Sequence, residues 1–226
     1  MSFQIVAITN RALCAQPLEV RVAALCDAGV DRVIVREKDL TEREFGALLD
    51  RIEALLLPDQ RRRITVNTFV DLAAAKGFPS IQMSYDEFER HPDFAREFQE
   101  VGVSVHGVNE AEHVERQGAD FCIAGHIFTT QCKPGVEPRG LDFLRRITSN
   151  AAIPVYAIGG IDTHNIASVR DAGADGACLM STLMACDNVA ETIDELRAAL
   201  SYRKILRTLR VIASSASSPR NVTISR

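Results

Sequence analysis

The 226-residue sequence predicts an α/β fold, a single (β/α)8 TIM barrel, on three observations. Short β-branched or apolar runs alternate with longer helical patterns along the chain. Most of the runs are apolar at every position, as in parallel strands covered on both faces. Several helical segments end in the same glycine-containing phrase just before a strand: Ala28-Gly29-Val30-Asp31, Gly118-Ala119-Asp120 and Gly173-Ala174-Asp175. The length fits one barrel, slightly below the usual size of roughly 250 residues. A doubly wound open sheet is the competing arrangement, but no G-x-G-x-x-G turn follows the first run.

In chain order, the predicted strands are 4–9, 32–37, 63–68, 80–84, 101–106, 121–128, 153–160 and 176–181. The predicted helices between them include 18–28, 41–57, 70–75, 109–117, 141–148 and 165–172. Glycine after a helix supplies the left-handed stop that lets the chain turn back into the sheet. The barrel is assigned to 1–200, and 201–226 to a basic helical extension running into a Ser/Ala/Pro-rich tail. After Glu195 there is no acidic residue, while Arg203, Lys204, Arg207 and Arg210 alternate with Ile205, Leu206, Leu209 and Ile212 at helical spacing. From Ala213 onward the composition is too polar to order itself against a core. Whether this end binds a partner or simply frays is left open.

Lys and Arg total 26 against 30 Asp and Glu, a net charge of −4, so neither nucleic acid nor an anionic membrane is an expected partner. No stretch approaches the roughly 20 apolar residues of a membrane span, and no secretory signal is visible. A cytoplasmic protein is expected. The six cysteines form no CxxC pair and no zinc spacing, so free thiols are expected.

A barrel of this class carries its functional residues at the C-terminal ends of the strands and in the loops that follow. Those positions hold Thr9 and Asn10, Arg36 and Lys38, Asn67, Ser84, Ser104 and His106, the segment from His126 to Arg139, Gly159 and Gly160, and Ser181. Phosphate commonly sits in the loops after the seventh and eighth strands, on backbone N–H groups. Gly159, Gly160 and Ser181 are therefore the expected phosphate-binding residues. Taken singly, Gly159-Gly160 is equally a tight turn, and Arg36 and Lys38 could pair with Glu37 or Asp39. Their convergence on one mouth is what points to a small phosphorylated ligand.

Of the five histidines, His106 and His126 fall at strand ends. Imidazole can both take and return a proton near neutral pH. His126 follows Gly125 and precedes the polar segment Thr129-Thr130-Gln131-Cys132-Lys133-Pro134-Gly135. No zinc-ligand spacing surrounds it, and no G-x-S-x-G elbow supports a serine hydrolase.

The runs Val35-Arg36-Glu37-Lys38, Val66-Asn67 with Asp71-Leu72-Ala73, Gly102-Val103-Ser104-Val105-His106 and Ala157-Ile158-Gly159-Gly160-Ile161 resemble the thiamin phosphate synthase superfamily. The resemblance runs from about Ile5 to Met184 and implies a barrel binding thiazole phosphates. The superfamily has a synthase branch and a thiazole tautomerase branch. The synthase joins a pyrimidine diphosphate to a thiazole phosphate and needs Mg²⁺ for the leaving diphosphate. Its pattern has Asp after the third-strand Asn, where this chain has Thr68. The segment Gln82-Met83-Ser84-Tyr85-Asp86-Glu87 also departs from its usual His-Leu-Gly-Gln, as do His126 and Thr130-Gln131-Cys132-Lys133. A threonine hydroxyl is a poor substitute for carboxylate at magnesium.

Gly125-His126-Ile127-Phe128 with Cys132-Lys133 is similar to the tautomerase pattern. The expectation carried forward is a thiazole tautomerase, an isomerase that aromatises a carboxythiazole phosphate by a proton shift at His126. It would use no metal or other cofactor. Arg36, Lys38, Asn67, Ser104, His106, Thr130 and Lys133 are the expected substrate-binding residues, and a thiazole phosphate is the expected small-molecule partner. The alternatives are a thiamin phosphate synthase with an altered metal site and a non-catalytic binder; a homodimer is one of the oligomeric states left open.

Overall fold

A computed structural model of the chain describes residues 2–90, 97–132 and 134–201. The expected basic helix and tail beyond residue 201, like His91 and Lys133, lie outside the described residues.

Eight parallel strands close into a barrel in sequence order: β1 (Gln4–Ile8), β2 (Arg32–Val35), β3 (Ile64–Asn67), β4 (Ser80–Ser84), β5 (Glu100–Val105), β6 (Phe121–Gly125), β7 (Val155–Ile158) and β8 (Gly176–Leu179). β8 pairs back onto β1 through Gln4↔Gly176 to Ala7↔Leu179, so no sheet edge is left open. The intervening helices are α1 (Leu18–Asp27), α2 (Glu42–Glu53), α3 (Val70–Ala75), α4 (Tyr85–Arg90), α5 (Val108–Arg116), α6 (Gly140–Thr148), α7 (Ile166–Asp171) and α8 (Ser181–Met184). Residues 189–201 form a further helix.

The recurrent glycine phrase does two jobs. After α1, Gly29 takes φ 78°, its N–H bonds Cys26 O, and Val30 N–H bonds Leu25 O; this is a left-handed helix stop with a six-to-one closing bond. The aspartate that follows then ties down the start of the preceding strand. Asp31 accepts from Ile5 N–H at 2.7 Å, Asp120 from Val101 N–H at 2.8 Å, and Asp175 from Val155 N–H at 3.0 Å.

Helix α2 begins with a capping box in which Thr41 and Glu44 satisfy each other's backbone donors. It buries Phe45, Leu48, Leu49 and Ile52 against the strands, each contributing about 1.5–3 kcal/mol of transfer free energy. Helix α4 and helix 189–201 were not among the predicted helices. Ser84-x-x-Glu87 was the local signal for α4: Glu87 N–H donates to Ser84 Oγ and Ser84 N–H to Glu87 Oε2 at 3.0 Å. The strands are also shorter than predicted, most clearly β6, which stops at Gly125 while 126–128 enters the following loop.

The expectation of strands apolar on both faces is corrected inside the barrel. The outer faces are apolar, but the lumen carries Arg32, Thr65, Asn67, Ser80 and Gln82, all buried. Arg32 reaches across its floor to Thr65 Oγ1 at 2.7 Å, Ser80 Oγ at 2.9 Å and Glu100 at 2.6 Å, with its guanidinium 4.8 Å from the Phe121 ring centre. The polar side chains are tolerated because they bond one another through all but one of their buried groups, Arg32 Nε being left without a partner. Beside them, Val6, Ile8, Ile34, Ile123 and Cys178 fill the barrel axis up to the mouth.

Candidate active site

The C-terminal ends of the strands enclose a cavity of about 390 Å³. Its floor is apolar, from Ile8, Ile123, Ile158 and Cys178, and its rim is polar.

At the β2 end, Thr9 organises the backbone: its Oγ1 accepts from Arg36 N–H at 2.9 Å and donates to Glu37 Oε1 at 2.7 Å. Glu37 is buried and accepts from Arg11 N–H at 3.1 Å and Arg11 Nη1 at 3.1 Å. Asp39 also pairs with Arg11, at 2.7 and 2.5 Å. Both carboxylates adjoining Arg36 are thus taken by Arg11, which closes the alternative that they neutralise Arg36 or Lys38. Arg36 lines the cavity half-buried and, among the described residues, makes no ion pair and no side-chain hydrogen bond. Burial pulls its guanidinium below the ordinary range, with Glu37 and Cys132 acting in the other direction. Lys38 is exposed and is not part of the cavity wall.

A neutral amide network forms the β3–β5 wall. Asn67 Nδ2 donates to Gln82 Oε1 at 2.6 Å and to Gln82 O at 3.1 Å. Gln82 Nε2 in turn donates to Ser104 Oγ at 2.9 Å and Met83 O at 2.6 Å. Gln82 and Ser104 reach the cavity, whereas Asn67 stands behind them as their support. Gln82 was missed as a site residue because only its departure from the family pattern, and not its place on an inward strand position, drew notice.

Between β7 and α7, Gly159 takes φ 106° and Gly160 φ 63°. A Cβ on Gly159 would run into His126 Cβ, and one on Gly160 into Thr129 O, so both must be glycine for the loops to close. Among the described residues, the N–H groups of Gly160, Ile161, Ser181 and Thr182 have no protein acceptor. All four residues line the cavity, so their free amides form an anion cradle on the β7–β8 side.

His126 also lines the cavity, 5% exposed. Its Nε2 lies 3.3 Å from Val136 O, a carbonyl that accepts a hydrogen bond from it. His106 sits on the exposed rim with Glu110 Oε2 at 3.3 Å from Nδ1 and 2.7 Å from its own N–H. Thr130 and the exposed Cys132 complete the wall beside Asn10 and Met180. All six cysteines are free thiols.

A family model described as thiamine monophosphate synthase matches residues 5–183. The chain belongs to this family. Thiamine-phosphate synthase of Chloroflexus aurantiacus is 37% identical over 188 residues, covering 80% of this chain and 84% of the relative. The enzyme of that name from Pyrococcus abyssi is 31% identical over 200 residues, covering 84% and 91%. Among solved structures, thiamine phosphate pyrophosphorylase from Pyrococcus furiosus superposes with a TM-score of 0.75 at 28% identity, covering 88% of this chain and 96% of that one.

These likenesses correct the expected activity. The relatives are named as synthases, which are transferases, and the expectation of a tautomerase and isomerase falls. That expectation weighed a handful of mouth positions, Thr68, Ser84, His126 and Cys132, above a similarity that extends over the whole barrel.

The Mg²⁺ implied for a synthase does not fit the residues present. Thr68 occupies the position after Asn67 and donates its hydroxyl to Asn67 Oδ1 at 3.1 Å. Glu87 folds back on Ser84, Oε2 lying 2.8 Å from its hydroxyl. Glu37 and Asp39 are held by Arg11 and Glu110 by His106, while Asp162 accepts from His164 N–H at 2.8 Å. Among the described residues, no carboxylate lines the cavity and no cluster of three His, Cys, Asp or Glu could hold a metal ion. Magnesium takes hard, charged oxygens, and the described cavity wall offers none.

Proposed function

We propose that this chain is a transferase of the thiamine-phosphate synthase type, joining a pyrimidine carried on a diphosphate to a thiazole phosphate. The observation that carries the reading is the pair of separate anion-holding groups in one cavity, a guanidinium at the β2 end and four amides on the β7–β8 side, none with a partner among the described residues. Two such groups suit two phosphorylated substrates better than one. The likeness to proteins named as synthases supports the same conclusion.

The thiazole ring nitrogen forms a bond to the pyrimidine methylene carbon as the bond from that carbon to the diphosphate oxygen breaks. The electron pair leaves with the diphosphate, so no proton has to be moved for the step to balance. Arg36 meets the charge growing on the leaving group with guanidinium donors matched to phosphate oxygens. The amides of Gly160, Ile161, Ser181 and Thr182 hold the thiazole phosphate and fix the ring nitrogen in line. Ile8, Ile123 and Ile158 keep water from the electrophilic carbon.

The test is incubation with both substrates and measurement of diphosphate and of the coupled product. Release in equal amounts, lost in Arg36→Gln, is the expected result. Binding of both ligands without release would reduce the protein to a binder.

A further inference from the structure

We infer that this barrel holds its diphosphate without a divalent cation, the fixed charge of Arg36 taking the place that an ion fills when carboxylates ring a mouth. The inference rests on the transferase reading above for the identity of the anion, and on the side chains of the mouth for the absence of a metal site.

Three features of the mouth converge on this. The wall that would present metal ligands is a closed neutral network: Asn67 Nδ2 to Gln82 Oε1, Gln82 Nε2 to Ser104 Oγ, and Thr68 Oγ1 to Asn67 Oδ1. The Asn67 and Gln82 amide oxygens and Ser104 Oγ are neutral and each already accepts a hydrogen bond, so they are weak ligands for an entering cation. The carboxylates nearest Arg36, those of Glu37 and Asp39, are held by Arg11 and withheld from the cavity. Arg36 is then a half-buried cation facing a cavity whose wall, among the described residues, carries no carboxylate. A buried unpaired charge is costly, and the partner that removes the cost is an anion.

A metal-bridged site needs acidic groups to retain the ion between turnovers, and those groups repel a free diphosphate when the ion is away. Here the order is reversed. The mouth is electropositive at Arg36 and offers four free amides, so the anion binds directly and a Mg²⁺ ion finds no carboxylate among the described wall residues to bridge to. Thr68 marks the change in the backbone too: its φ of 75° lies in the left-handed region, which Asp or Asn adopts more readily than a β-branched residue.

The test is calorimetric titration of the full chain with inorganic diphosphate, once in EDTA and once in millimolar MgCl₂, for the unaltered protein, Arg36→Gln and Thr68→Asp. The expected result is binding of equal affinity, within about twofold, in both buffers, and a loss of about tenfold or more in Arg36→Gln. Thr68→Asp, which returns a carboxylate to the rim, is expected to weaken binding in EDTA and regain it in MgCl₂. Binding seen only with Mg²⁺, strengthened by it more than about tenfold, or absent in both buffers would overturn the inference. Metal-independent binding without turnover of the two substrates would leave the inference standing and sink the transferase reading. Turnover with metal-dependent binding would do the reverse.

Discussion

Gly159 lies directly against His126, so close that a methyl group on Gly159 would run into the histidine Cβ. The same loop holds its neighbours by backbone bonds, Ile127 N–H to Ile158 O at 2.9 Å and Phe128 N–H to Gly159 O at 3.0 Å. The β7 turn and the loop after β6 therefore form one unit. Gly159→Ala adds both the steric conflict and a side chain at φ 106°. It is expected to cost about 2–4 kcal/mol, read as a lowered urea midpoint, together with loss of phosphate binding. Unchanged stability would mean that the two loops separate freely.

Arg11 controls the charge of Arg36 without reaching the cavity. Replacing it by Met removes the cation that neutralises Glu37, one residue from Arg36, while the backbone N–H of residue 11 and Thr9 Oγ1 still hold the carboxylate in place. The uncompensated Glu37 charge is then expected to offset that of Arg36 and weaken diphosphate binding by roughly threefold to tenfold. The double variant Arg11→Met/Glu37→Gln is expected to regain most of that loss. Failure of the second change to restore binding would show that Arg11→Met acts by disturbing the loop.

The barrel was legible because its signal is periodic: eight apolar runs, and a helix stop of the same wording at Gly29, Gly118 and Gly173. The mouth was legible in outline, since strand-end positions can be counted; Arg36, Ser104, His126, Gly159 and Ser181 all reach the cavity. What could not be read was which partner each group takes. Lys38 and Arg36 look alike in sequence, yet one is exposed and the other faces the cavity, and Asn67 is turned aside by Gln82. The Glu37 and Asp39 pairs with Arg11 cross 26 and 28 positions of chain, which no local pattern carries. The choice of reaction failed for a related reason: a few substitutions at the mouth say which ligands changed, and the similarity of the whole barrel says what family changed them.

Asp120 offers a separate test of the recurrent phrase. Its carboxylate accepts from Val101 N–H, holding the start of β5 beside β6. Asp120→Ala leaves that partly buried donor without its partner and is expected to cost about 1–3 kcal/mol, with the cavity intact and diphosphate binding unchanged. A loss of binding as large as that in Arg36→Gln would place the residue in a different role.

Buried thiols set the alkaline limit of the fold. Burial pushes Cys26 up to about 11 and Cys122 up to about 12, and raises Cys178 further. Burial likewise raises Tyr156 to about 12. In the unfolded chain a thiol ionises near pH 8.5, so the folded state favours the protonated form. The stabilisation is complete below the unfolded value and is lost as pH rises through the folded ones. Unfolding free energy is therefore expected to fall steadily from about pH 9 upward. Cys122→Ala and Cys178→Ala flatten that slope, although each also leaves a small cavity. Thiol labelling at pH 8 gives the matching kinetic reading: exposed Cys132 reacts at once, while Cys26 and Cys122, packed in the core between strands and helices, wait for opening of the barrel. Rapid modification of those two in the folded protein would show that the helical layer opens far more readily than its packing implies.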